Sequence, residues 1–459
     1  MGVLIAMTKL LALAYHFPPV GGGGVQRNAK FVRYLPEFGY EPIVVTGPGD
    51  AESRWTPGDA TLLDDVSVRT DVRRASGPVP EPDRGWRSVV ARRLMIPSSF
   101  IRWWVDGATR LGRDVVGEVE LIYASLVPYD TAEAAAALAR ESGKPWVADL
   151  QDPWALDEMW LYPSRIHRRY DLRRMRRLLA SAEAIVMNTP EASARLLRFF
   201  PELGPRIVVS IPNGFDAADF TRNVPQRDYG RFLIVHTGYL HTATGLRLRR
   251  MRRFRRLAGG MAVQVDILPR SHVYLLRAIE RLQVENPVLA SKIDVVLAGV
   301  TTPIDRQIAD ESPVPVQMPG YLPHAETVDL IRSADLLFLP MHDLPDGRRA
   351  GLVPGKTYEY LASGRPILGA VGEGDARDLL LAAGTATVCA PTDERAIASA
   401  IRAQVRRWES GVEDASPRPE VLARYERRSQ TRDLSEVFDR VLGTTTVPAR
   451  DATGSSSDG

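Results

Sequence analysis

The stretch LALAYHFPPVGGGGVQRNAKFVRYLPEFGYEPIVVTG, residues 11–47, reads as strand, glycine-rich turn, helix and second strand. An apolar run over 9–15 predicts the first strand, helical spacing over 25–38 predicts the crossover, and 42–46 predicts the next strand. Strand, helix, strand in this order is the opening of a parallel sheet with helices on its faces. The glycines at 21–24 carry no Cβ, so a ligand can approach the backbone where the helix begins, and that end of a helix favours an anion. The spacing is not the dinucleotide pattern Gly-x-Gly-x-x-Gly, because Arg27 stands where the third glycine belongs. A simple flexible turn is the plain alternative.

Working outward, the same alternation continues. Strands are expected at 121–125, 146–150, 184–188 and 207–211, then at 232–237, 294–298, 336–340, 366–370 and 387–389. Helices are expected at 131–141, 165–180 and 190–199, then at 273–282, 325–333, 356–362, 375–383 and 394–409. The chain therefore divides into two doubly wound α/β units, with a turn-rich seam at 211–216. The expected domains are 1–214 and 215–415. A helical stretch at 416–443 would return to the first domain, and a Thr/Ser/Gly-rich tail at 444–459 would be disordered. Two such units present the carboxyl ends of their strands to a shared crevice, where this architecture binds ligands.

The chain has 459 residues, 44% of them hydrophobic and 25% charged, which excludes a wholly disordered, collagen-like or coiled-coil protein. The formal net charge is only +3, yet arginine is locally dense. Residues 247–256 hold seven arginines, and a second cluster contains Arg165, Arg168, Arg169, Arg173, Arg174, Arg176 and Arg177. The single cysteine, Cys389, excludes an intrachain disulfide and fits a reducing cytoplasm. No run approaches the ~20 apolar residues that span a bilayer, and the first residues lack the basic start of a signal peptide.

Three segments could carry chemistry. The first is the glycine run. The second is VPGKTYEYLASGRP, residues 353–366, where Pro-Gly before a helix should leave backbone amides facing an anion. Glu359, one turn later, could accept bonds from a ribose diol; a solvated helix carboxylate is the bland alternative. Gly355-Lys356-Thr357 is not a Walker A loop, because Ala350 stands where the first glycine is needed. The third is ADLQDPW, residues 148–154, where a carboxylate leaving a strand end can bind sugar hydroxyls or act as a base. There is no Asp-x-Asp pair of the kind that holds Mg²⁺ or Mn²⁺, and the seven histidines show no zinc-type spacing with cysteine.

Taken together, VADLQDPW, NTPEASARLLRFFP, IPNGFDAADF, GYLPHAETVDLIRSADLLFLP and PGKTYEYLASGRPILGAVGEGDA occur in an order and spacing that resemble the family 4 glycosyltransferases. These are retaining enzymes of the GT-B fold, and the resemblance runs from about Lys9 to Leu442. It implies a metal-independent hexosyltransferase with no cofactor beyond its nucleoside diphosphate sugar donor. Gly23, Gly24, Gly355, Lys356 and Thr357 would hold the diphosphate, Glu359 the ribose, and Tyr321 would lie beside the base. Arg270, in LPRSHVYLLRAIERL, would be the basic residue against the diphosphate, and the acceptor would lie near Asp152. Catalysis would thus rest on Asp152, Arg270 and Lys356.

The chain also departs from the family pattern. The usual Glu-x7-Glu would put a glutamate at 351, where this chain has Gly351, and Gln151 cannot titrate where relatives carry His or Arg. Residues 242–268 read as an insertion that contains the arginine run. That run reads first as a solvated face, and second as a contact with anionic membrane lipid, since Leu246, Leu248, Met251, Phe254 and Leu257 give it an apolar side. Nucleic acid is not an expected partner. The acceptor could be a surface polysaccharide, a glycolipid or a small natural product. A nucleotide-sugar epimerase of the same fold, or an inactive nucleotide-sugar binder, are the rival readings.

Overall fold

The computed structural model describes residues 7–49, 58–80, 85–86, 90, 93–222, 230–258, 264–345, 347–412 and 415–443. The expected tail at 444–459 and the start of the chain lie outside these residues.

The first half supplies strands β1 (Thr8–Ala14), β2 (Tyr40–Thr46), β3 (Asp71–Arg74), β4 (Leu121–Ser125), β5 (Trp146–Leu150), β6 (Ala184–Met187) and β7 (Ile207–Ser210). They form one parallel sheet in the order β3-β2-β1-β4-β5-β6-β7. The second half supplies β8 (Phe232–Thr237), β9 (Ile293–Ala298), β10 (Val316–Gly320), β11 (Leu336–Pro340), β12 (Ile367–Ala370) and β13 (Ala386–Cys389). These form a second parallel sheet, β10-β9-β8-β11-β12-β13. The two doubly wound units expected from the alternation are therefore present.

Two strands escape the sequence reading for one reason. Both β3 and β10 are edge strands, and an edge needs no continuous apolar run. The residues of β3 are Asp-Val-Arg-Arg, none fully buried. In β10 half-buried and exposed residues alternate. By contrast β4 and β5 are buried throughout, because helices cover both faces of the sheet. The first crossover helix covers Gly23–Tyr34 and then tightens into a 3₁₀ turn at Leu35–Phe38. Pro36 lacks the N–H that would continue the α ladder.

The C-terminal segment, expected as one helical stretch, bends. Short turns at Pro419–Leu422 and Ala423–Tyr425 precede the helix Arg427–Leu442. Glu426 between them is extended, and its carboxylate accepts from the amides of Arg428 and Ser429. The bend lets the chain pair with the inter-domain linker. Phe215 donates its amide to Tyr425 O (3.0 Å), and Arg427 donates its amide to Phe215 O (2.8 Å). Gly214 is required there, because a Cβ would stand 2.1 Å from Tyr425 O. The helix then buries Leu434, Val437 and Phe438 against Leu10, Phe31, Val44 and Tyr123 of the first unit.

Arg27 explains why the glycine loop is followed by arginine. Its buried guanidinium forks onto Asp149 at the end of β5 (2.9 and 3.0 Å) and donates to Pro212 O and Ile211 O in the linker (2.7 and 2.9 Å). Tyr123 completes the Asp149 carboxylate. A single side chain thus fixes the glycine loop, the β5 end and the crossing between the units.

Candidate active site

Between the carboxyl ends of the two sheets lies a cleft of about 390 Å³. Gly22, Gly23 and Gln26 line it from the first unit; Arg270, Tyr321, His324, Gly355, Lys356 and Glu359 line it from the second, and Arg427 from the C-terminal helix. Six of the residues singled out from the sequence, Gly23, Arg270, Tyr321, Gly355, Lys356 and Glu359, therefore share one space.

Lys356 opens the helix Lys356–Ala362 and reaches under the end of β8. It passes Gly238, whose φ of +96° and missing Cβ leave room; a Cβ there would stand 2.8 Å from the Lys356 ammonium. His236 Nε2 lies 3.2 Å from Lys356 Nζ. The other ring nitrogen, Nδ1, is 3.0 Å from Phe338 O, a pure acceptor, so Nδ1 carries the proton and Nε2 faces the lysine with its lone pair. Burial, with added repulsion from Lys356, keeps His236 neutral, its pKa well below the usual value. Burial also brings Lys356 down to about 7; Arg270 repels its charge and Glu359 partly offsets this. Arg270 is likewise lowered by burial, against the pull of Asp152, Asp157 and Glu158. Two basic side chains whose charge burial disfavours thus line one cleft, with Arg270 repelling Lys356, and that suits a ligand bringing negative charge.

Around Glu359 the chemistry is different. Burial raises its pKa, and His324 opposes that rise. His324 Nδ1 lies 3.7 Å from Glu359 Oε1 and 2.9 Å from Gln26 Nε2, while its Nε2 lies 3.1 Å from Asp219 Oδ2. Although burial works against the imidazolium, the Asp219 hydrogen bond and the Glu359 charge raise the His324 pKa. The histidine therefore links the glycine-loop helix, the linker and Glu359.

On the first-unit side Asp152 and Asp157 are both raised, chiefly by burial, with Arg270 acting against this at each. Arg270 reaches Met159 Sδ at 3.0 Å. Aromatic rings flank these carboxyls: Tyr129 stacks on Trp154 with centroids 5.1 Å apart, and Trp160 meets the Tyr129 ring edge-on at 6.1 Å. Flat apolar rings beside carboxyls that can accept hydroxyl protons suit a sugar-like or polyol ligand.

Three of the expected residues lie off the cleft lining. The carbonyl of Gly24 accepts from Gln151 Nε2 (3.3 Å), and Asp152 is outside the lining but within reach of the Arg270 charge. Thr357 is fully buried, with an Oγ1 that has no partner. The free amides expected after Pro354-Gly355 are also partly spent. Gly355 is already helical, so Thr357 N bonds Pro354 O (3.0 Å) and Tyr358 N bonds Gly355 O (3.2 Å). Lys356 contributes by its ammonium.

Position 351 holds a surprise. Glu158, from the first unit, accepts from the Gly351 amide (3.0 Å), pairs with Arg195, and lies 3.3 Å from His342 Nε2. Burial alone would raise its pKa, but His342 and Arg195 hold it at about 2. A carboxylate therefore does stand at residue 351, delivered from across the cleft. Sequence reading missed Glu158, His236, His324 and Arg427. The first sits in no recognised motif, His236 hides in the apolar run of β8, and Arg427 is brought in by the bend at Glu426. Only His324 carried a signal, its place two residues beyond the Gly320–Leu322 loop.

Two family descriptions match this chain: Glycosyltransferase Family 4 over residues 21–219, and Glycosyl transferases group 1 over residues 266–406. No curated protein sequence matches it. Among solved structures, HepE from Anabaena in complex with UDP and glucose is 15% identical, covers 94% of this chain and 100% of its own, and superposes with a TM-score of 0.59. The N-terminal domain of trehalose-6-phosphate phosphatase from Candida albicans is 12% identical over 97% and 99% of the two chains, with a TM-score of 0.58. A putative UDP-N-acetylglucosamine 2-epimerase from Listeria monocytogenes is 14% identical over 96% and 98%, with a TM-score of 0.52. These likenesses establish a shared two-domain fold.

Proposed function

The chain is a GT-B glycosyltransferase of the family 4 type, and from that premise we propose that it moves a hexose from a nucleoside diphosphate sugar to an acceptor hydroxyl with retention, without a bound metal ion. The observation that carries this reading is the pair Arg270 and Lys356, desolvated and adjacent in a cleft that also holds Gly355 and Glu359.

As the bond from the sugar carbon to the diphosphate breaks, negative charge builds on the leaving oxygens and the sugar ring becomes cationic. Fixed cations in a dry cleft stabilise that charge far better than water does. The acceptor oxygen attacks from the face the diphosphate leaves, and its proton passes to a diphosphate oxygen. No side chain need titrate at Gln151. Glu359, steadied by His324, takes the ribose hydroxyls, Tyr321 lies against the base, and Asp152 orients the acceptor. Among the described residues no group of three or more His, Cys, Asp or Glu side chains could hold a metal ion.

HepE was crystallised with UDP and glucose, so UDP-glucose is the first donor to try. A thermal-shift panel of nucleotide sugars should single out the donor by a raised melting temperature. With that donor, nucleotide should be released only when an acceptor is present, and at an unchanged rate after chelation by EDTA. Conversion of the sugar while it remains on the nucleotide would instead mark an epimerase. We further propose a cytoplasmic enzyme of surface polysaccharide or glycolipid synthesis.

A further inference from the structure

The second arginine cluster has no part in the cleft, and it forms a surface of its own. The helix Arg165–Leu179 buries only Met175, Leu178 and Leu179. At 100° per residue, Arg169, Arg173 and Arg177 fall on the opposite side together with Ile166 and Tyr170, and Arg165 lies at the edge of that face. All four arginines are exposed, and none has an ion-pair partner among the described residues. Ile166 is 68% exposed and Tyr170 47% exposed, which is unusual for large apolar side chains on a helix that has a core to bury. The other three arginines of the cluster are engaged: Arg174 with Asp130 and Glu133, Arg176 with Glu202, and Arg168 over the Phe199 ring at 5.8 Å.

The same helix is bolted to the acceptor side of the cleft. Asp171 accepts from Trp154 Nε1 (3.1 Å) and from the Tyr162 hydroxyl. The Arg174 guanidinium lies 5.6 Å from the centre of the Trp154 ring. Trp154 and Tyr162 bracket the segment that carries Asp157, Glu158 and Met159, and Trp160 within it is 46% exposed. Outward-facing cations and apolar side chains thus occupy the same element that holds the acceptor loop.

We propose that this face docks the protein on an anionic lipid bilayer. Unpaired arginines answer the negative headgroups, while Ile166, Tyr170 and Trp160 enter the interfacial layer, where aromatic and branched apolar residues are at home. Nucleic acid would account for the charge but not for an exposed isoleucine among it. The other basic run is less suited to a lipid surface, because Leu248 is buried and Arg249 is paired with Asp266 and hydrogen-bonded to Tyr274. Its side chains from Arg252 onward lie outside the described residues. Resting on the transferase reading above, the surface also names the acceptor class: a hydroxyl carried by a membrane lipid and presented beside Asp152.

The test is co-sedimentation with vesicles of phosphatidylcholine containing about one third phosphatidylglycerol, against pure phosphatidylcholine. The protein should bind the anionic vesicles and release them as salt rises. Each arginine neutralised should weaken partition by about fivefold, so the variant Arg165→Gln/Arg169→Gln/Arg173→Gln/Arg177→Gln should lose binding by about six-hundredfold. Ile166→Ser/Tyr170→Ser should lose the salt-resistant part, while Arg247→Gln/Arg250→Gln should bind as the parent does. All these side chains are exposed, so equal melting temperatures are expected throughout. The idea is overturned if the parent ignores anionic vesicles, if the four-arginine variant binds like the parent, or if a single-stranded RNA is bound in place of vesicles. Vesicle binding needs no donor, so a failed transferase assay leaves this result intact, and a failed vesicle assay leaves transfer to soluble acceptors intact.

Discussion

Lys356 shows how much one residue's surroundings decide. In the unliganded cleft its pKa stands at about 7, because burial and Arg270 disfavour its charge. A diphosphate placed beside it favours the charged form, so binding raises that pKa. Below pH 7 the ammonium is already protonated and binding takes up no proton there. Above it the free protein must first gain a proton, and affinity falls by up to about tenfold per pH unit. Donor titrations between pH 7 and pH 9 should show this decline together with proton uptake, measured calorimetrically in buffers of different ionisation enthalpy. Lys356→Ala removes the dependence, and Lys356→Ala and Arg270→Ala should each slow turnover about tenfold or more. Unchanged kinetics in both variants would remove the site from this cleft. The position of Lys356 was legible because Pro-Gly-Lys before a helix is a local pattern. Its neighbour His236 was not, since nothing in Phe-Leu-Ile-Val-His-Thr tells which residue of a buried strand faces a lysine 120 residues later.

At the scale of elements, legibility follows burial. Strands covered on both faces, such as β4 and β11, are continuous apolar runs and stand out in the sequence. The edge strands β3 and β10 have lost that signature. The bend at Glu426 was hidden for a related reason, because it is set by pairing with Phe215, some two hundred residues earlier in the chain. That pairing gives a test of the C-terminal strap. In Gly214→Ala the new methyl would meet Tyr425 O at 2.1 Å and Gln430 Oε1 at 2.6 Å, and neither the linker nor the strap can yield alone. The variant should lose about 2 kcal/mol of stability. Amide exchange should quicken along Arg427–Leu442 more than in the second sheet. An unshifted melting temperature would mean the strap is not held at this point.

At the scale of the whole molecule, the two units are drawn together on both flanks of the cleft. On the flank beside Tyr321 and His324, Asp59 accepts from the His324 amide (3.0 Å). On the opposite flank Arg195 donates to Arg349 O (3.0 Å), Thr189 donates to Gly351 O (2.7 Å), and Glu158 accepts from the Gly351 amide. Gly351 thus becomes intelligible. A side chain there would begin 3.2 Å from the Arg195 guanidinium and 3.4 Å from Glu191, in space the partner unit already fills. Installing the carboxylate that the family pattern expects, Gly351→Glu, should therefore harm this protein. It would set a second negative charge beside Glu158, which stays ionised down to about pH 2, and would compete for Arg195. We expect turnover to fall about tenfold, and small-angle scattering to show a larger radius of gyration as the units part. The double variant Gly351→Glu/Glu158→Gln keeps one carboxylate near Arg195 and should recover both closure and part of the rate. Glu158→Gln alone leaves Arg195 only the more distant Glu191 carboxylate, 3.7 Å away, so it should open the cleft and raise the donor KM more than it lowers kcat. If Gly351→Glu were as active and as compact as the parent, Glu158 would not be the carboxylate that holds the units together.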